Sequence, residues 1–414
     1  MLSQINKIVL TCLLIYNFTY GQKDSIHTTE SLKLYNFTMI DGENYLTMRQ
    51  NNENYLSGYR ILSRFVNQKP STAGKILQLG TSFLGLLITH EEGHRSVLTQ
   101  LNIGAISQPF SIFEGAAYVK GVTDITLQNL RDTDLPNYIR LHTAGLESDF
   151  SIITKTESLI ALEEDSFENL NIEYHTHKLA LIGYYLTTLI PKLSPSIKEE
   201  SNELDRDIVG HDLYGAVRHL HRPNSEFYRY TDHDDLTKEE KKFIKKVGFF
   251  SLLNLLNPIL IGKNNFTLSK NSKFNLGLGY TMAPYGGFID ENFWLIVNNR
   301  LKIHSYLRQS HNKNSWFLAG GFKIMNYKFY DDKLWVSTGL HFWSQPTNLS
   351  FTTNKSDFGF ATEFNTAYKI YSNSQRKINL MSNVGLTYKT FGFIPEYSTL
   401  EKKMQFNLGI SILW

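Results

Sequence analysis

The chain carries one cysteine, Cys12, among 414 residues. A single thiol excludes an intrachain disulfide and a multi-thiolate metal centre, so any metal must be held by histidine and carboxylate. Net charge is also scarce: the formal value is +3, with no basic tract. That leaves no electrostatic footprint for nucleic acid and excludes it as an expected partner. Long apolar runs are missing too. Residues 76–89, 179–190 and 247–261 are apolar, but each is interrupted by Gly, Asn, Gln or Pro. All fall short of the ~20 residues a membrane-spanning helix needs. This argues against a chain held in an inner membrane by several helical spans.

What is present begins with Lys7 and the short apolar run Ile8 to Tyr16. This is the pattern of a secretory signal peptide, expected over residues 1–21 with cleavage near Gly21 or Gln22. Cys12 lies inside it, so the exported chain is expected to be cysteine-free. The remaining length permits two domains.

His90-Glu91-Glu92-Gly93-His94 fits the pattern H-E-x-x-H. The apolar run from Ile76 continues through it to Leu98 without a proline, which predicts one buried helix. Residues four apart share a helix face, so both imidazoles can reach one metal ion. Glu91 can then take a proton from a metal-bound water. Two neutral imidazoles plus a carboxylate suit Zn²⁺. Glu92 reads as a solvated, inert position, and Gly93 as a place where another backbone can pack close.

A third ligand is expected downstream. Glu203 and Asp207 are four apart and can share a helix face. Glu203 is the leading candidate, with Asp207 and Asp212 as alternates. If Glu203 binds the metal, Asp207 can accept the free N–H of a ligand histidine. The E-x-x-x-D spacing after H-E-x-x-H resembles the gluzincins, including the thermolysin-like and CaaX prenyl protease families. A second resemblance is to the site-2 proteases. Gly93 supplies the Gly of H-E-x-G-H, and Leu141-His-Thr-Ala-Gly145 stands where that family has an Ala-Gly-Pro turn. Leu146 replaces the Pro, and no Asp-Gly pair follows. This resemblance implies Asp207 or Asp212 as the third ligand. Both resemblances cover residues 74–222 at most.

Other histidines have plainer readings. His175 and His177 follow an acidic stretch, Glu163-Glu164-Asp165, and read as a solvated loop. His211, His219 and His221 lie near the third-ligand stretch. Each reads either as a surface or core histidine or as a hydrogen-bond donor to an oxyanion. The run Lys238 to Lys246 reads as a solvated helix start.

Near residue 263 the pattern changes to strict alternation. Phe293, Leu295, Val297, Leu301 and Ile303 share one face, and Asn298, Arg300 and Lys302 the other. Phe358, Phe360, Phe364, Tyr368 and Ile370 alternate with Ala361, Glu363, Asn365 and Lys369. About seven such segments are expected, near 272–282, 290–308, 315–329, 332–345, 356–373, 376–392 and 403–414. Strands this long exceed the usual globular length and suit a transmembrane β-barrel, apolar outside and polar inside. The final alternation of Phe406, Leu408, Ile410, Ile412 and Trp414 resembles the C-terminal signal of bacterial outer-membrane barrels. Even strand counts are usual in them, and residues 264–270 or Leu32 to Ile40 can supply an eighth. A soluble secreted β-sandwich alternates similarly. A barrel of about eight strands has a side-chain-filled interior, so no solute channel is expected.

The expected architecture is therefore α+β: a mainly helical, zincin-like domain over 22–262, then an antiparallel β-barrel over 263–414. The resemblances imply a zinc-dependent metallopeptidase of the bacterial cell envelope. Its barrel would sit in outer-membrane lipid and its helical domain in the periplasm, acting on an envelope protein or peptide. The alternative is a non-enzymatic outer-membrane β-barrel with a helical periplasmic binding or plug module.

Overall fold

A computed structural model describes residues 32–42, 46–111, 116–190, 199–330, 332–373, 375 and 378–414. The expected signal peptide and Cys12 lie outside the described residues. Seven α-helices occur among them: α1 (Met48–Gln68), α2 (Thr72–Gln100), α3 (Asp124–Thr133), α4 (Leu135–Ala161), α5 (Phe167–Thr187), α6 (Asp212–His221) and α7 (Lys238–Ser251). The first five start alike. Thr47, Ser71, Thr123, Asp134 and Ser166 each accept the backbone N–H three residues on, satisfying a donor that has no partner within the helix. At α7, Thr237 and Glu240 form a reciprocal capping box. The motif helix α2 runs unbroken through His90 and His94 as expected, but it is not buried throughout: Ile76, Leu77, Leu84 and Ile88 are exposed, while Gln78, Ser82, Gly85 and Thr89 face inward.

Twelve strands occur among the described residues. Two, β2 (Ile106–Ser111) and β3 (Ala116–Lys120), form a small hairpin sheet beside α2. The other ten form one antiparallel sheet in the order β1-β12-β11-β10-β9-β8-β7-β6-β5-β4. Here β1 is Leu34–Asp41, β4 Phe266–Ser269, β5 Ser272–Ala283 and β6 Gly286–Val297. They continue as β7 (Leu301–His311), β8 (Trp316–Phe329), β9 (Leu334–Pro346), β10 (Ser356–Asn373), β11 (Ile378–Lys389) and β12 (Lys403–Leu413).

The count exceeds the expected eight for two reasons. Residues 290–308 are not one strand: Asn298 and Asn299, both with φ near +52°, turn the chain between β6 and β7. Both candidate extra strands also form, and β1 pairs antiparallel with the C-terminal β12, Leu34 opposite Leu413. β1 and β4 are the edges, and no pairing between them closes the sheet among the described residues.

The two faces differ as alternation requires. Phe358, Phe364, Tyr368, Ile370, Val384 and Phe406 are exposed on one. The other buries polar side chains, among them Asp290, Arg308, His341 and Glu363, and receives the helices. Phe150 of α4 meets Phe288 of β6 edge to face at 5.5 Å, and the Trp294 indole N–H donates to Ser158 Oγ at 2.9 Å. Helices and strands therefore share one apolar core. Between α1, α4 and the strands lies a cavity of about 350 Å³, whose lining includes Arg308, Lys323, His341 and Glu363.

Candidate metal centre

The site is built where α2 crosses α4 and meets the start of α6. The crossing is close because glycine stands on both sides. A Cβ on Gly93 would lie 2.5 Å from the Ala144 carbonyl oxygen, and one on Gly145 would lie 2.3 Å from His90 Nε2. Both distances are well inside contact, so the motif glycine does let another backbone approach.

That packing fixes both imidazoles. His94 is fully buried, and its Nδ1–H donates to the Leu141 carbonyl at 2.6 Å. His90 Nδ1 lies 2.8 Å from Asp149 Oδ2. With Nδ1 engaged on each ring, Nε2 is the atom each presents to a common point. Asp212, the first residue of α6, completes the group: its Oδ2 is 3.1 Å from His90 Nε2 and 3.6 Å from His94 Nε2. One ligand atom from each of the three residues falls within 4.8 Å of the others.

The electrostatics suit a cation. Burial opposes charge on His90, but Asp149 and Asp212 outweigh it and raise the imidazole well above its usual range. Burial likewise opposes charge on Asp212, yet His94 and His90 hold its carboxyl far below the carboxylate range. The carboxylates thus demand positive charge at His90 Nε2, which a proton or a metal ion supplies. Two imidazole nitrogens and one carboxylate oxygen are a donor set that fits Zn²⁺ and leaves a fourth position for water. Glu91 sits half-buried beside them, and burial pushes its carboxyl up to about 8 against the pull of both histidines.

The other acidic candidates are elsewhere. Glu203 does not join the histidines. It opens a short 3₁₀ turn, Glu203–Asp205, capped by Asn202, and its Oε2 accepts the Asp124 backbone N–H at 2.9 Å. The helix that would align Glu203 with Asp207 does not form. Asp207 Oδ1 accepts the Val209 N–H at 3.2 Å, and burial pushes its carboxyl up to about 7. It is near His94 and Glu91 electrostatically, but it is outside the ligand group.

The remaining histidines also resolve. His211 caps α6 and stacks on Tyr214 at 3.8 Å. His219 packs with His142 against Tyr138, fully buried. His221 Nδ1 donates to Val217 O at 2.9 Å, its ring against Phe351. His175 and His177 are on α5, not in a loop, and His177 is fully buried. Glu92 is not inert: it accepts from Arg95, from Asn51 at 3.4 Å and from Ser107 at 2.5 Å, tying β2 to the motif helix.

Sequence reasoning missed Asp149. Its one signal was an acidic residue within an apolar helical stretch, where an unpaired charge is costly.

No family model matches the chain, and neither the curated proteins nor the solved structures give a match.

Proposed function

We propose that the protein is a zinc-dependent metallopeptidase, with His90, His94 and Asp212 as the metal ligands and Glu91 as the general base. The observation that carries the reading is the convergence of His90, His94 and Asp212, one helical turn of which also carries an intact H-E-x-x-H glutamate. Held by His90, His94 and Asp212, a zinc ion would supply Lewis acidity toward a carbonyl and a bound water. Glu91 would be the general base, taking a proton from the water whose oxygen bonds to the scissile carbonyl carbon and giving it to the leaving nitrogen as the C–N bond breaks. Asp149 holds the His90 ring through Nδ1, and the Leu141 carbonyl does the same for His94. The substrate on this reading is an envelope protein or peptide.

The sheet supports a place in an outer membrane. Its exposed face carries rows of Phe, Tyr, Ile and Val, the outward apolar surface that lipid selects, while its covered face mixes polar side chains such as Asp290 and Glu363 with apolar ones such as Phe288 and Trp294. The protein is then exported and surrounded by outer-membrane lipid, with its helical part open to the periplasm. A second reading is a non-enzymatic outer-membrane protein whose helices act as a plug. The packing of α4 against β5 and β6 favours it, since a helix covers that part of the sheet's inner face.

Peptide hydrolysis by the purified protein, measured beside Glu91→Gln, separates the two. Activity that depends on added zinc and is lost in the variant supports the peptidase. A metal-loaded, folded protein with no hydrolysis across a diverse peptide library favours the plug.

A further inference from the structure

Behind His90 a line of buried polar groups leads away from the metal centre. Asp149 receives His90 through Oδ2, and its other oxygen, Oδ1, is 3.6 Å from Nδ1 of His177, an ion-pair separation longer than a hydrogen bond. His177 Nε2 is 2.8 Å from Oε1 of Glu173, one turn earlier on α5. Glu173 Oε2 in turn accepts the Tyr55 hydroxyl of α1 at 2.8 Å. Asp149, His177 and Glu173 are 3%, 0% and 0% exposed. The Tyr55 ring then lies against Gly85 of α2, where a Cβ would fall 2.0 Å from Tyr55 Cζ. The line leaves α2 at His90, crosses α4, α5 and α1, and returns to α2 less than two turns before His90.

Stability alone is a poor reason for this arrangement. Apolar side chains of similar volume would fill the same space at no net cost and often with a gain. The charges alternate: burial opposes charge on His177, but Glu173 and Asp149 outweigh it and raise the imidazole to about 9. What the line has that an apolar filling lacks is a charge contact, through His177 and Asp149, with the carboxylate that holds a candidate ligand.

We propose that His177 and Glu173 are positioning residues of the metal centre: they fix the Asp149 carboxylate, and through it the His90 ring, so that Nε2 stays aimed at the metal. The inference rests on the reading of His90, His94 and Asp212 as ligands. Partners one step behind a ligand typically change metal affinity or activity by 10- to 100-fold, and the same range is expected here.

The test uses the full protein with Zn²⁺ and Co²⁺ alone, in wild type, His177→Phe and Glu173→Gln. Affinity is read by competition with a chelator, ligand geometry by the visible spectrum of the cobalt form, and folding by circular dichroism. The expected result is a loss of roughly 10- to 100-fold in affinity with an altered cobalt spectrum in folded variants. A merely structural role would lower the melting temperature and leave affinity and spectrum at wild-type values, which overturns the proposal. Glu173→Gln keeps side-chain shape and the Tyr55 contact, so it decides the matter where His177→Phe fails to fold. If wild type itself binds neither ion, the ligand assignment fails first and the positioning role falls with it.

Discussion

Gly145 of α4 faces His90 of α2 so closely that a single added methyl would lie 2.3 Å from the imidazole Nε2. The ring would have to leave its position against Asp149 and Asp212. Gly145→Ala is therefore expected to weaken zinc binding by at least 10-fold, read by chelator competition. Gly93→Ala meets the Ala144 carbonyl instead, which is backbone and cannot swing aside. It should cost about 1–3 kcal/mol of stability by forcing α2 and α4 apart, read by denaturant titration.

Glu91 binds no metal in this account and only moves a proton. Glu91→Gln should keep the metal content of wild type while hydrolysis falls by roughly 10²- to 10⁴-fold. Metal analysis and peptide turnover on the same preparation check both halves.

The motif was legible because both candidate ligand histidines and the candidate base fall within about one turn of one helix, and nothing outside that turn is needed to align them. The third ligand was not. The E-x-x-x-D spacing aligns Glu203 with Asp207 only on a helix, and Asn202 caps only a 3₁₀ turn there. The chain then bends at Gly210, φ +62°, and His211 caps α6 so that Asp212 arrives at its first position. Backbone geometry at Gly210, not side-chain spacing, brings Asp212 to the two histidines. In the sheet, alternation marked almost every strand but hid the β6–β7 turn. The apolar residues Val297 and Leu301 flank it with their parity unbroken, while the Asn298-Asn299 pair was the turn signal. The partner of the C-terminal strand, β1, comes from the other end of the chain, a pairing that local pattern cannot assign.

Acid should weaken the helical part through His219. Burial holds this imidazole down to about 2, with His142 and three arginines adding to the effect. The unfolded chain takes up its proton near pH 6.5 while the folded one does not. Stability attributable to this group is thus complete above about 6.5 and falls as pH drops toward the folded value. The slope is up to about 1.4 kcal/mol per pH unit. Thermal or denaturant unfolding between pH 6.5 and 4 should show a shallower acid slope in His219→Asn than in wild type.

The exposed row on β10 gives a test of the membrane reading. Phe364→Lys on a lipid-facing strand should cost up to about 2–4 kcal/mol in folding into vesicles, whereas the same change on a water-exposed face should cost within about 0.5 kcal/mol. Gel migration before and after boiling gives an independent readout. A closed barrel shifts on boiling, and an open soluble sheet does not.

The central claim is that His90, His94 and Asp212 hold one metal ion. Elemental analysis of the purified protein beside His94→Ala and Asp212→Ala tests it most directly. About one zinc per chain is expected in wild type, with loss of it in both variants. Absence of zinc from wild type after reconstitution, or full retention in Asp212→Ala, would contradict it.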